Sequence, residues 1–254
     1  MSVSEPALNE PLMQIRNLSK NFGGVTAVDD VTMDLRSGIV TTLVGPNGAG
    51  KTTFFNLITG NLSRDSGEVT WLGHDITGVS PHRIARMGVM RSYQDLRLFD
   101  GMTVWENTLN ATEHNALPLP MSRASRRRRQ ERIEEVLERT GLADKRKTRA
   151  IDLAYAERKF LSLARIMATP ARLWLLDEPA SGLDPNSYER FLKILREDVA
   201  NGVTVCIIEH NLDIVIGISD RIAFLDRGKL LADGDPQTVL DDPELGKIYF
   251  GDRA

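Results

Sequence analysis

The 254-residue chain has a single cysteine, Cys206, and no apolar run near the roughly 20 residues needed to cross a bilayer. One cysteine excludes an internal disulfide. Cys206 lies inside the apolar run 203–208 and reads as a buried small hydrophobe. An excess of charge is lacking too: 32 Lys and Arg stand against 35 Asp and Glu, a net of −3. Overall electrostatics therefore gives no case for nucleic acid. Residues 1–11 are polar and acidic, unlike a secretory signal, and are expected to form a short mobile tail. No internal repeat is present. These absences favour the cytosol and leave docking onto a membrane protein open. A hydrophobic content of 41% with 26% charged residues suits a globular chain with a real core, as one large domain or two small ones.

The chain's most specific stretch is Gly45-Pro46-Asn47-Gly48-Ala49-Gly50-Lys51-Thr52-Thr53. It lies between the apolar run 39–44 and the amphipathic stretch 54–58. Strand, glycine-rich turn and helix is the context that gives the G-x-x-x-x-G-K-[ST] phosphate loop its meaning. Glycines let the backbone curl so that successive N–H groups aim at phosphate oxygens, and the helix adds the positive end of its dipole. Lys51 is placed for the β- and γ-phosphates, and the Thr52 hydroxyl for Mg²⁺.

Around this loop the pattern predicts strands at 14–18 and 31–35, separated by a turn at Gly23-Gly24. A third, nearly all-apolar strand at 39–44 should be central and covered on both faces. A strand at 68–72, a turn at Gly73-His74, a short helix at 81–86 and a strand at 89–93 follow. The middle is helical: 104–111, a break at Leu117-Pro118-Leu119-Pro120, 125–140 with the stripe Ile133, Val136 and Leu137, a stop at Gly141, and 157–168. Alternation then resumes, with strands at 172–176, 203–208 and 221–226 and helices at 186–200 and 212–216. Residues 229–232 pair back on 221–226, and a last short helix begins at 236–240. The whole reads as an α/β nucleotide-binding core interrupted by an all-helical insert. Arg126 to Arg129 form the one biased segment. Glu131, Glu134, Glu135 and Glu138 offer it partners on a solvated helix face; contact with a partner or anionic lipid is the alternative.

Five further residues carry chemistry. The apolar strand at 173–176 ends in Asp177-Glu178. Asp177 suits the outer shell of Mg²⁺, and Glu178 suits a general base polarising the water that attacks the γ-phosphate. Adjacent acids after a strand also fit a plain helix N-terminus. Ile207-Ile208-Glu209-His210 is a second strand ending in a polar residue, and His210 is placed to touch the γ-phosphate and sense hydrolysis, with a plain surface histidine as the alternative. His74, His82 and His114 have no such context. Gln94 opens the helical insert, where its amide oxygen could bind Mg²⁺ or water and relay that state onward. Phe22 precedes the glycine turn and could stack on adenine, or be a core phenylalanine.

In order, the phosphate loop, Gln94, Leu153-Ala154-Tyr155-Ala156-Glu157, Asp177-Glu178, Ser181-Gly182-Leu183-Asp184 and His210 resemble an ABC transporter ATPase. The resemblance spans about residues 13–251. Several stretches are similar to one branch, the ATP-binding subunits of bacterial branched-chain amino acid importers: 21–28, Ile84-Ala85-Arg86-Met87-Gly88-Val89, Leu96-Arg97-Leu98-Phe99, Met102-Thr103-Val104, Glu209-His210 with 217–222, and Ile248-Tyr249-Phe250-Gly251. The resemblance implies a P-loop (RecA-like) core with an N-terminal antiparallel β-subdomain and an inserted all-helical subdomain. It would be a single domain over 12–254, with the core at 12–92 and 169–254 and the insert at 93–168. It also implies ATP and Mg²⁺ as cofactors and a peripheral position on the cytoplasmic side of the inner membrane. The implied partners are membrane permease subunits, reached by residues 95–102, and, indirectly, a periplasmic substrate-binding protein. Two subunits would sandwich ATP, each site joining one subunit's phosphate loop to the other's signature segment.

The signature is where this chain departs. Against Leu-Ser-Gly-Gly-Gln, or the branch's Leu-Ala-Tyr-Gly-Gln, it reads Leu153-Ala154-Tyr155-Ala156-Glu157. Ala154 lacks a hydroxyl, Ala156 adds a Cβ where amides must approach phosphate, and Glu157 brings a negative charge that Arg158 would offset. A self-dimer would carry two weakened sites, so the expected partner is a second ABC ATPase with an intact signature. Urea or amide import and lipopolysaccharide export share much of the pattern and stand as alternative cargoes. A soluble ABC protein acting on DNA or ribosomes, and a binding module that holds ATP without hydrolysis, are readings of other classes.

Overall fold

The computed structural model describes residues 8–112 and 122–250. Two sheets organise it. The first is antiparallel, in the order β2-β1-β4-β5, built from β1 (Pro11–Phe22), β2 (Val25–Arg36), β4 (Ser66–Trp71) and β5 (His74–Asp75). The second has the order β10-β9-β3-β8-β7-β6, built from β3 (Val40–Val44), β6 (Val89–Arg91), β7 (Leu173–Asp177), β8 (Thr204–Ile208), β9 (Arg221–Asp226) and β10 (Lys229–Gly234). All its neighbours run parallel except the β9–β10 hairpin. As the apolar run predicts, β3 lies inside the sheet with every residue buried.

The helices are α1 (Lys51–Ile58), α2 (Pro81–Arg86), α3 (Val104–Ala111), α4 (Arg123–Arg139), α5 (Tyr155–Met167), α6 (Pro185–Ala200), α7 (Leu212–Ile218), α8 (Pro236–Leu240) and α9 (Pro243–Phe250). Between β6 and β7 the described residues form α3, α4, two 3-10 turns (Ala143–Lys145 and Ala150–Asp152) and α5, with one isolated bridge, Thr103 to Arg149. The side-chain period of two sorts the parallel strands into two cores. Leu173 and Leu175 of β7 and Cys206 and Ile208 of β8 face the core shared with α1 and the antiparallel sheet. Trp174, Leu176, Val205 and Ile207 face the core shared with α4, α5 and α6. Ile133, Val136 and Leu137 are the buried residues of α4, and Arg126 to Arg128 are exposed, with Arg127 paired to Glu131 at 2.7 Å.

The sequence misplaces some boundaries. β1 and β2 run 12 residues each, well past 14–18 and 31–35. Register shifts break the alternation that pattern reading needs. Asn17 and Asp30 take positive φ there, and the Asn17 amide donates to Asp30 Oδ1 at 2.8 Å. The segment expected as a tail is tied down from residue 9: Asn9 N–H donates to Ser37 O, Ser37 N–H to Glu10 O, and Pro11 pairs with Arg36. α5 starts two residues early, and α9 follows α8 where no further helix was expected. Residues 1–7, the 117–120 break, His114 and Gly251 lie outside the described residues. Cys206 is fully buried, and desolvation pushes its thiol far above the usual range.

Candidate functional site

The phosphate loop leaves β3 at Gly45 (φ +146) and enters α1 after Gly50 (φ +101). Two glycines are sterically required. A Cβ on Gly45 would sit 1.9 Å from Leu225 O, and one on Gly50 would sit 2.1 Å from Ala27 O. The loop is thus wedged between β9 and β2. Gly48 (φ +81) opens to space, and Asn47 and Gly48 are exposed. No side chain caps α1 and no acidic residue lies in its first turn, so neither offsets its leading amides and the positive end of its dipole. Ala49 is buried and anchors the loop, its carbonyl accepting Gly228 N–H at 3.0 Å.

Lys51 is 8% exposed, and its ammonium donates to Gly45 O at 2.7 Å and Pro46 O at 2.9 Å. Burial depresses its pKa, opposed by the nearby Glu178 and Asp177. Thr52 is exposed and Thr53 half-buried. Asp177 closes β7 and receives the Arg91 guanidinium at 3.3 Å; its own N–H donates to Ser92 Oγ at 3.0 Å. Burial raises the Asp177 carboxyl against the pull of Arg91.

Glu178 is where the sequence candidates converge. It takes φ +47, uncommon for a side chain with a Cβ. Its N–H donates to Ile208 O at 3.0 Å, and its C=O accepts the Lys159 ammonium at 2.7 Å. The Gln94 amide donates to Glu178 Oε2 at 3.3 Å, and His210 Nδ1 lies 3.6 Å from Oε1. Residues 94, 178 and 210 share one cluster because β7 and β8 are neighbours in register and β6 lies on the outer side of β7.

Phe22 ends β1 at 48% exposure, which rules out the core alternative, with the Lys20 ammonium 5.6 Å from its ring. The hairpin it closes continues into Ala27, the residue whose carbonyl backs Gly50. His74 and His82 are exposed.

The segment 153–157 opens α5. Leu153 is buried, and Tyr155 is 55% exposed with its ring against Gly182, whose Cβ would lie 3.0 Å away. Glu157 corrects an expectation. Its carboxylate accepts Ala154 N–H at 2.9 Å and pairs with Lys145. Burial works to raise its pKa, but Lys145 and the Ala154 amide together hold it below the usual range. Arg158 is engaged elsewhere, donating to Ala150 O and Asp100 Oδ1, each at 2.8 Å. Lys145, twelve residues upstream, balances Glu157 rather than its chain neighbour. Ala154 has no oxygen to complete the capping box from its side.

The sequence misses four contributors: Arg91, Ser92, Lys159 and Glu209. Arg91 and Ser92 lie on or beside β6 and Glu209 directly follows β8, but only the folded chain supplies their partners. Arg91 also donates to Asn56 Oδ1 at 2.7 Å and stacks 4.9 Å from the Tyr93 ring. Glu209 is fully buried, with Oε1 accepting Ala180 N–H at 3.3 Å. Desolvation raises its pKa.

The residues present fit a nucleoside triphosphate with Mg²⁺. Gly45 and Gly50 admit no Cβ, while the space at Gly48 and the uncapped helix start suit an anion. Thr52, Asp177 and Gln94 offer the hard oxygen atoms that Mg²⁺ takes together with substrate phosphates. Among the described residues no cluster of three or more His, Cys, Asp or Glu could hold a metal alone.

Comparison with known proteins agrees with this geometry. The family profile described as ABC transporter matches residues 28–181. The high-affinity branched-chain amino acid transport ATP-binding protein LivG of Salmonella typhimurium is 37% identical over 255 residues, covering 96% of this chain and 100% of that protein. The corresponding protein BraF of Pseudomonas aeruginosa is 37% identical over 257 residues, with the same coverage. A nucleotide-free ATP-binding cassette from an ABC transporter superposes with a TM-score of 0.84 at 30% identity, covering 95% of this chain and 100% of that one. A cassette solved in its ADP conformation gives 0.82 at 30% identity, covering 95% and 99%. With the phosphate loop, the paired acids and both sheets in place, the chain belongs to the ABC transporter family, built as one of its ATP-binding cassettes.

Proposed function

We propose that this chain is the ATP-binding and ATP-hydrolysing subunit of an importer that energises uptake of branched-chain or related hydrophobic amino acids. The observation that carries the catalytic part is the convergence on Glu178 of Gln94 and His210, beside a phosphate loop whose lysine is buried. The cargo rests on the names of LivG and BraF.

Glu178 accepts a proton from the attacking water, its carboxylate held by the Gln94 amide on one side and His210 on the other. The Lys51 ammonium exchanges its two carbonyl partners for phosphate oxygens and stabilises charge on the transferred group. Thr52, Asp177 and Gln94 would hold Mg²⁺, which when bound offsets charge on the β- and γ-phosphates. Phe22, exposed at the hairpin end, offers a ring for adenine.

Ala154 and Ala156 leave the signature without its hydroxyl and with an extra Cβ, which supports pairing with a second ATPase whose signature is intact. In that heterodimer Lys51, Asp177, Glu178 and His210 form one complete site with the neighbour's signature. The described residues contain no helix long and apolar enough to cross a membrane, and residues 95–102 would meet the permease on the cytoplasmic face.

The test is Glu178→Gln in the transporter complex purified through a tag on this chain. ATP should remain bound while turnover falls by about 10²-fold or more; turnover at the wild-type rate removes Glu178 from the chemistry. Labelled leucine uptake in cells lacking this chain checks the cargo, with urea and amide uptake as the competing result. Full cooperative ATPase and transport by a self-dimer, with no second ATPase present, would overturn the heterodimer.

A further inference from the structure

We propose that Lys159 is a positioning residue for Glu178, tying the segment that would serve the neighbouring subunit's ATP to the carboxylate that serves this chain's own. The inference rests on the reading of Glu178 as the base.

The argument begins with the Glu178 backbone. At φ +47 its peptide groups turn against the direction of β7, and the side chain's aim follows that turn. Ser181 N–H closes the turn on Glu178 O at 3.4 Å, and two contacts from outside the turn hold it: Glu178 N–H on Ile208 O at 3.0 Å, and Lys159 Nζ on Glu178 O at 2.7 Å. The first belongs to the sheet. The second comes from α5, the helix that opens with the signature residues, and it is the one contact able to report on that helix.

Lys159 is 9% exposed. Burying an ammonium is costly unless it is paired. Desolvation lowers its pKa, while Glu209 and Glu178 favour the charged form. Glu209 is itself sealed from solvent and accepts Ala180 N–H, two residues past Glu178. The ammonium therefore lies within the electrostatic reach of Glu209 and braces the turn 178–180 through the Glu178 carbonyl.

The same ammonium lies 5.4 Å from the ring centroid of Tyr155, one helical turn earlier in α5. Gly182, further along the same turn, packs on that ring too; a Cβ there would come within 3.0 Å of it. Tyr155 belongs to the degenerate signature and is 55% exposed. A shift of Tyr155 on meeting the neighbour's nucleotide is thus carried by Lys159 to the Glu178 carbonyl. The chain of contacts is Tyr155 ring, Lys159 ammonium, Glu178 backbone. It gives the two composite ATP sites a link inside one subunit, independent of Gln94.

The test uses the purified transporter complex with Lys159→Met, which keeps the stem and removes the donor, Lys159→Arg, which keeps a cation, and Glu178→Gln as reference. Lys159→Met should lower kcat by about 10-fold or more while KM for ATP stays within about twofold. Lys159→Arg should recover most of the loss. Tyr155→Ala should lower kcat, and its effect should not add to that of Lys159→Met. If Lys159→Met fails to assemble, Lys159→Gln is judged by the same criteria. Wild-type kcat in Lys159→Met with Glu178→Gln inactive overturns the positioning role and leaves the base in place. A fully active Glu178→Gln overturns both. A loss of kcat matched by an equal loss of ATP affinity, with no rescue by arginine, shows a merely structural lysine and overturns the proposal. Additive Tyr155 and Lys159 effects overturn the link between sites.

Discussion

The Arg91 guanidinium lies 3.3 Å from the Asp177 carboxylate, with side-chain exposures of only 4% and 3%. They meet because β6 and β7 are parallel neighbours, with Arg91 paired to Leu175 two residues before Asp177. Phe55 lies under the same guanidinium at 5.4 Å. Removing one member of such a pair leaves a buried charge without its partner. Arg91→Met should therefore destabilise the nucleotide-free chain by about 3–5 kcal/mol. Arg91→Met combined with Asp177→Asn should recover most of that, since no bare charge remains. The midpoint of urea unfolding measures both. A change below about 1 kcal/mol in the single variant would show the pair to be dispensable.

The phosphate loop's glycines are not equivalent. Gly45→Ala and Gly50→Ala each drive a methyl into a backbone carbonyl, at 1.9 and 2.1 Å. Backbone cannot swing aside as a flexible side chain can. Gly48→Ala meets open space and bears only the strain of its positive φ. Thermal unfolding should show large losses for the first two and a small one for Gly48→Ala. Nucleotide binding should fall in all three, because each substitution alters the backbone of the loop proposed to cradle phosphate. Equal thermal losses at all three positions would contradict the wedged loop.

Two exposed carboxylates give the stability curve an acid limb. Glu106 accepts the Thr103 N–H and hydroxyl, each at 2.8 Å, and Asp184 accepts the amides of Asn186 and Ser187, each at 3.1 Å. These bonds hold both carboxyls below the usual range, Glu106 through the Thr103 amide first and Asp184 through the Ser187 hydroxyl first. A pKa lower in the folded than the unfolded state gives stability that is complete above about pH 4 and fades as pH falls through the folded values. The Tm difference between wild type and Glu106→Ala with Asp184→Ala should be greatest near neutrality and narrow below about pH 4. A constant difference down to acid pH would show that the caps act without their charge.

The sequence carries a great deal of this arrangement wherever the signal is local. The phosphate loop is contiguous, so Gly45 to Lys51 can be read with nothing else in hand. The helix bounds at Pro81–Arg86, Val104–Ala111 and Pro236–Leu240 match the pattern because proline, Thr103 and Asp235 mark their starts by rules that act within a few residues. β1 is read short because its register shifts repeatedly between Leu18 and Asn21, and β2 because Asp30 takes positive φ just before 31–35. The charge logic of the signature is read from the wrong neighbour. Arg158 adjoins Glu157 in the chain, yet successive helical residues point about 100° apart, and Lys145 takes the carboxylate instead.

By itself, then, the sequence determined the alternation of strands and helices, the phosphate loop and the two acids after β7, since each depends on residues a few places apart. Tertiary structure alone decided that Arg91 meets Asp177 across 86 residues, that Gln94 meets Glu178 across 84, and that Lys159 reaches forward over 19 to a carbonyl. Periodicity reports which face a side chain takes. The strand order β8-β7-β6 and the packing of α5 against it determine which other face it meets.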